Sequence, residues 1–226
     1  MIRSDAWNGA TQAFLSFKDV MFATGKAKTY EELARWADDN GESSLAEEAR
    51  KSAADVDNTE ADFNRLCIGP FRLVVPPYES VWRSRTRVLN NRYTATCRVS
   101  YAEVGLTIDP KLNEMPDYFG NELEFLYYIA ALREKHLSAG HKDVAEALED
   151  AGERFWCEHL GHWYGDFLDA MQKEAVLPFW KEWARVLKNW LGTFFNGCEL
   201  TEFMTGLEQE VKAPASFKTR NEHEKR

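Results

Sequence analysis

Apolar side chains recur along this chain at intervals of three and four residues, the spacing that lines one face of an α-helix. From about Asp5 to Ala23 the recurring positions are Phe14, Phe17, Val20 and Met21, and Gly25 stops the run. Thr29, with Glu31 and Glu32 behind it, reads as an N-cap with acidic first-turn residues and opens a short helix that closes near Gly41. Two more helical segments follow, over about Ser43 to Ala54 and Thr59 to Cys67. Between Gly69 and Pro77 the period breaks, because Gly-Pro and Pro-Pro remove backbone donors and push the preceding residues into extended geometry. The period returns over Thr94 to Val104, lapses in a second loop from Gly105 to Pro116, and runs as a long helix from about Asp117 to Ser138. Helices near Asp143 to Leu160, His162 to Ala175 and Pro178 to Phe195 follow, then a short one over Thr201 to Val211. No hairpin dipeptide separates alternating runs, and no linker or solenoid-length repeat divides the chain. The expectation is an all-α, single-domain bundle of roughly eight to ten helices. It would occupy residues 1–211, with a disordered C-terminal tail over 212–226.

Composition narrows the class. With 226 residues, 44% of them hydrophobic and 29% charged, the chain suits a folded soluble protein. At this length roughly 70 to 75% of the unfolded surface can be buried, so a core needs neither metal nor disulfides. Lys plus Arg is 28 against 37 for Asp plus Glu, a formal charge of −9, which disfavours nucleic acid or an anionic membrane and suits a cationic partner. Cys67, Cys97, Cys157 and Cys198 form no CxxC pair and read as buried thiols in a reducing compartment. No apolar signal region follows the first residues, and the longest apolar stretch, Phe125 to Leu132, is too short to span a bilayer, so a cytoplasmic location is expected.

Motifs for chemistry are scarce. Neither GxxxxGK[ST], GxGxxG nor GxSxG occurs, so nucleotide cradles and a nucleophile elbow are unsupported. His159 and His162, near Cys157 and Asp166, could approach a metal, but the plainer reading is helix-face histidines packed among Phe155, Trp156, Trp163 and Phe167. The expectation is therefore no enzyme, no metal and no cofactor. Trp180, Trp183, Val186, Leu187, Trp190 and Phe194 mark a broad apolar helix face that belongs in the core. Arg83, Arg85, Arg87 and Arg92 cluster in a segment that reads as a solvated, counter-charged loop.

The two loops before the Thr94 and Asp117 helices carry the most specific signal. The first reads IGPFRLVVPPYESVWRS from Ile68 to Ser84, the second EMPDYFGNELEFLYYIAAL from Glu114 to Leu132. Gly-Pro, then Pro-Pro-Tyr-Glu-Ser-Val-Trp, then Pro-Asp-x-x-x-x-Glu-Leu-x-Phe, in this order and separation, resembles the TorD/DmsD/NarJ family of redox-enzyme maturation chaperones. The likeness is clearest from about Asp62 to Leu132 and continues through FWCEHLGHWYGDFLDAM. The family commonly has His after the Pro-Asp, where this chain has Tyr118. The resemblance implies a cytoplasmic helical chaperone that binds the twin-arginine leader, or N-terminal segment, of a molybdopterin-containing oxidoreductase subunit until cofactor insertion and assembly are complete. It would be a monomer or a domain-swapped dimer.

The residues fit such a role independently. Paired arginines are best met by carboxylates, and an apolar leader needs an adjacent apolar groove. Tyr78, Glu79, Trp82, Asp117, Tyr118 and Glu122 lie in or beside the two loops and are the expected leader-binding residues; Glu124 lies close by. Asp117 could equally be an N-cap, and Glu122 a favourable first-turn acid. Glu122 is the more telling, because it shares a stripe with Tyr118, Phe125, Ile129 and Leu132, and a carboxylate on an apolar stripe wants a partner. A generic helical adaptor for a folded partner, or a metal-dependent helical enzyme, are the alternatives.

Overall fold

The computed structural model describes residues 4–69, 73–108 and 114–202. The helix expected over Thr201 to Val211 and the tail over 212–226 therefore lie outside the described residues, apart from Thr201 and Glu202. Among the described residues there are ten α-helices: α1 Ala10–Phe22, α2 Ala27–Asp39, α3 Ser43–Ala54, α4 Val56–Phe63, α5 Glu79–Arg83, α6 Arg92–Glu103, α7 Phe119–Ser138, α8 Lys142–Glu158, α9 Tyr164–Glu174 and α10 Pro178–Phe194. Among the described residues there is no strand, only one isolated antiparallel bridge between Tyr78 and Tyr118. The chain is all-α, as the periodicity predicts. No helix among the described residues is long and apolar enough to cross a membrane.

The layout follows from which stripes are apolar. α7 packs between α1 and α8, α2 lies on α3, and α10 closes the bundle against α9 and α3. The aromatic stripe of α10 is core as expected: Trp180, Trp183, Val186, Leu187 and Phe194 are buried and Trp190 is half-buried. A buried ion pair between Arg133 and Glu149 ties α7 to α8. Asp62 on α4 accepts hydrogen bonds from the backbone N–H groups of Val176 (3.0 Å) and Leu177 (2.8 Å), and so caps the approach to α10 from a distant segment.

Several boundaries differ from the sequence reading for identifiable reasons. The first run is split, with a 3₁₀ turn over Ser4–Trp7 and α1 starting after Gly9, whose φ of 78° only glycine adopts freely. α2 begins at Ala27, so Thr29 lies inside its first turn and is buried rather than acting as the cap. The segment expected to be helical over Thr59 to Cys67 starts earlier, because Asp55 accepts from Asn58 N–H, and it ends as a π-helical turn over Asn64–Ile68. The irregular stretch contains a five-residue helix, α5, too short for any period to announce.

Candidate functional site

The two motif loops meet. Glu79 N–H donates to Asp117 C=O (3.0 Å) and Phe119 N–H donates to Pro77 C=O (2.9 Å), which sets Tyr78 opposite Tyr118 in the antiparallel bridge. The prolines account for the local form, since Pro76 and Pro77 hold the chain extended into the bridge and donate nothing themselves. Proline carbonyls in both loops are used instead: Trp82 Nε1–H donates to Pro76 C=O (2.6 Å), and Tyr101 O–H donates to Pro116 C=O (2.7 Å).

Asp117 caps a helix, but not its own. Its Oδ2 accepts from Ser80 N–H (2.9 Å) in the first turn of α5, while α7 starts from Tyr118 with no side-chain cap. Gly120 in the first turn of α7 is required by close approach. A Cβ there would lie 2.5 Å from Tyr118 Cε1 and 3.0 Å from Met21 Cβ and Phe22 Cζ. Tyr118 is buried, and its hydroxyl donates to Met21 C=O (2.7 Å), joining the second motif to α1. The phenol thus has a structural task here that does not require an imidazole.

Glu79, Asp117 and Glu122 are each 0% exposed, so none presents an oxygen to solvent. Glu79 Oε1 pairs with Arg83 Nη1 and its Oε2 lies 2.9 Å from His159 Nδ1. Glu122 Oε2 accepts from Trp163 Nε1–H (3.1 Å). Cys97 Sγ lies between them, 3.2 Å from Glu79 Oε2, 3.8 Å from Glu122 Oε1 and 3.3 Å from His159 Nδ1. Burial raises the Glu122 carboxyl well above the ordinary range, and the nearby charges of Glu79 and Asp117 add to it. For Glu79 burial acts in the same direction, but the His159 hydrogen bond and the charges of His159 and Arg83 outweigh it and hold that carboxyl below the ordinary value. The two neighbouring carboxyls are thereby shifted in opposite directions. Burial, with Glu79 next, also pushes the Cys97 thiol up.

The open face of the motifs is a cavity of about 340 Å³ beside the bridge. Tyr78 and Tyr118 line it with Pro77, and Met21, Phe22, Phe63 and Ile68 supply further apolar wall. Glu60 and Glu114 are its charged lining residues, and no Lys or Arg is among the described residues that line it. Tyr78 O–H donates to Glu114 Oε2 (3.0 Å) and Thr24 Oγ1–H donates to Glu60 Oε1 (3.1 Å). Burial and then Glu114 raise the Tyr78 phenol, so it stays a donor. Of the six expected residues, then, Tyr78 and Tyr118 line this cavity, while half-buried Trp82 and the three fully buried acids are not among its lining residues. Glu60 and Glu114 were not singled out by the sequence, where they look like ordinary solvated acids.

Two further expectations resolve. His159 and His162 do not share a site, because His159 is buried against Glu79 and Cys97 while His162 Nε2 lies 2.8 Å from Thr201 C=O. In the arginine cluster, Arg85 and Arg87 are solvated, but Arg83 turns inward onto Glu79 and Glu158 C=O.

Residues 22–169 match the model of the nitrate reductase delta subunit family, which spans both loops and the helices that hold them. The chain belongs to this family. It is the TorD/NarJ group of molybdoenzyme maturation chaperones that the two motifs resemble. Similar curated proteins include the Tat proofreading chaperone DmsD of Salmonella paratyphi A and of Salmonella typhimurium, each 31% identical over 119 residues, 53% of this chain and 52% of the relative. The chaperone protein YcdY of Escherichia coli is 28% identical over 149 residues, 66% of this chain and 70% of the relative. The chain thus spans about half the length of the DmsD relatives it matches. These relatives are named as chaperones, not as enzymes.

Proposed function

We propose that this protein is a system-specific chaperone that binds the twin-arginine leader, or N-terminal segment, of a molybdopterin-containing oxidoreductase subunit in the cytoplasm. It holds that segment until cofactor insertion and assembly are complete. The observation that carries the reading is the cavity beside the motif bridge, which combines apolar walls with two carboxylates and no cation among its described lining. An arginine-bearing apolar segment needs both features. In this reading Tyr78 and Tyr118 contact the bound segment, with Trp82 behind them, and Glu60 and Glu114 meet the arginines. Glu79, Asp117 and Glu122, fully buried, fix the two loops rather than meeting the leader directly. The net charge of −9 supports attraction of a cationic segment over a longer range.

Capture from the native host tests this reading. Mass spectrometry should find a molybdopterin oxidoreductase subunit, and deleting that subunit's N-terminal leader should abolish its capture. A partner captured equally well without the leader would point to an adaptor that recognises folded protein instead.

A further inference from the structure

A fully buried group of side chains, outside the cavity lining, is not used by leader binding. Glu79 Oε2, Cys97 Sγ and His159 Nδ1 come from α5, α6 and the residue after α8, and they form a triangle with edges of 2.9, 3.2 and 3.3 Å. We propose that Glu79, Cys97 and His159, completed by Glu122, form a buried binding site for a divalent transition-metal cation, with zinc the ion best matched by the mixed sulfur, nitrogen and oxygen donors.

Size is the first support. Bonds of about 2.0 to 2.3 Å at tetrahedral angles place donors about 3.3 to 3.6 Å apart. The observed edges need to open by only a few tenths of an ångström. Glu122 Oε1, 3.8 Å from the sulfur, approaches the same centre from α7.

The atoms behind the donors are the second support. Metal ligands are oriented by partners on their far side, and each flanking group here has one. His159 Nε2 lies 3.4 Å from Ser100 Oγ, Glu79 Oε1 pairs with Arg83, and Glu122 Oε2 accepts from Trp163. On binding, Cys97 Sγ, His159 Nδ1 and Glu122 each present a deprotonated donor to the cation, and the protons they lose leave to solvent. The Nδ1 lone pair of His159 then faces the ion, and its remaining proton sits on Nε2 toward Ser100.

Charge is the third support. Three carboxyl groups, those of Glu79, Asp117 and Glu122, are fully buried around this point, with the guanidinium of Arg83 and the imidazole of His159 beside them. Asp117 Oδ1 is buried without a hydrogen-bond partner among the described residues. A cation at the centre of the triangle engages Glu79 Oε2, Cys97 Sγ and His159 Nδ1 at once. Sequence reading has no access to this site, because its donors are 18 and 62 positions apart and match no metal motif.

The test uses the full-length protein without a polyhistidine tag, expressed in medium in which cobalt is the supplied metal. The expected result is about one cobalt per chain with a thiolate-to-cobalt charge-transfer band. Cys97→Ser should abolish that band, while the double variant Cys157→Ser/Cys198→Ser keeps it. No retained cobalt, or a band lost with Cys157 and Cys198 instead, overturns the proposal. If Cys97→Ser does not fold, X-ray absorption of the zinc-grown wild-type protein decides. One sulfur near about 2.3 Å with nitrogen or oxygen near about 2.0 Å supports the site, and a shell with no sulfur or several overturns it.

Discussion

The acids at the two motifs differ in kind although all three are fully buried. The carboxyl of Glu79 is shifted down by His159 and Arg83 against its burial, that of Glu122 is shifted up by burial and by its acidic neighbours, and Asp117 fastens α5. The raised carboxyl of Glu122 has a signed consequence. As pH rises through the ordinary carboxylate value of about 4.3 the unfolded chain loses that proton before the native state does, so this group lowers stability as pH rises. Glu122→Gln removes the titration. Thermal melts of metal-free protein should therefore show the variant gaining on wild type as pH rises from about 4.3 toward neutrality; a constant difference would contradict the assignment. Glu79 acts oppositely. Its stabilisation is present above the ordinary carboxylate value and is lost as pH falls through its depressed one, so the wild-type advantage over Glu79→Gln should shrink on acidification. The stripe shared by Glu122 and Phe125 correctly signals that this carboxylate needs a partner. It could not say that the partner is Trp163, 41 positions on, rather than an arginine from outside.

At the scale of elements, the structure depends on how tightly α1, α5 and α7 meet at the bridge. Gly120 leaves no room for a methyl group between Tyr118 and α1. Gly120→Ala should destabilise by about 1 to 3 kcal/mol through overpacking, read in denaturant melts, despite alanine's better helix propensity. Tyr118→Phe should cost about 1 to 3 kcal/mol, because Met21 C=O loses a buried donor. The long helices were legible because three to five turns of apolar stripe overdetermine them, and α3 falls at Ser43–Ala54 as read. α5 was not, since five residues show no period and its cap, Asp117, comes from the other loop. Asp117 was read as a possible cap for the helix it precedes. Only tertiary structure reveals that it caps another.

For the whole molecule, an acidic helical bundle presents one cavity where its two family motifs join, with aromatic and aliphatic walls and the carboxylates of Glu60 and Glu114. The loops were recognisable from their proline and aromatic spacing, which is local. The two lining acids were not, because Glu60 on α4 and Glu114 ahead of α7 converge only when the bundle closes. The central claim is that this cavity receives the arginine-bearing segment, and calorimetry with a synthetic twin-arginine leader tests it most directly. Both acids are half-buried, so each charge-assisted contact should be worth about 1 to 2 kcal/mol, roughly 5- to 30-fold in affinity. The account predicts that Glu60→Gln and Glu114→Gln each weaken leader binding by that factor, more at low salt than at moderate salt, without changing the melting temperature appreciably. Unchanged affinity in both variants, with wild type binding the leader normally, would contradict it.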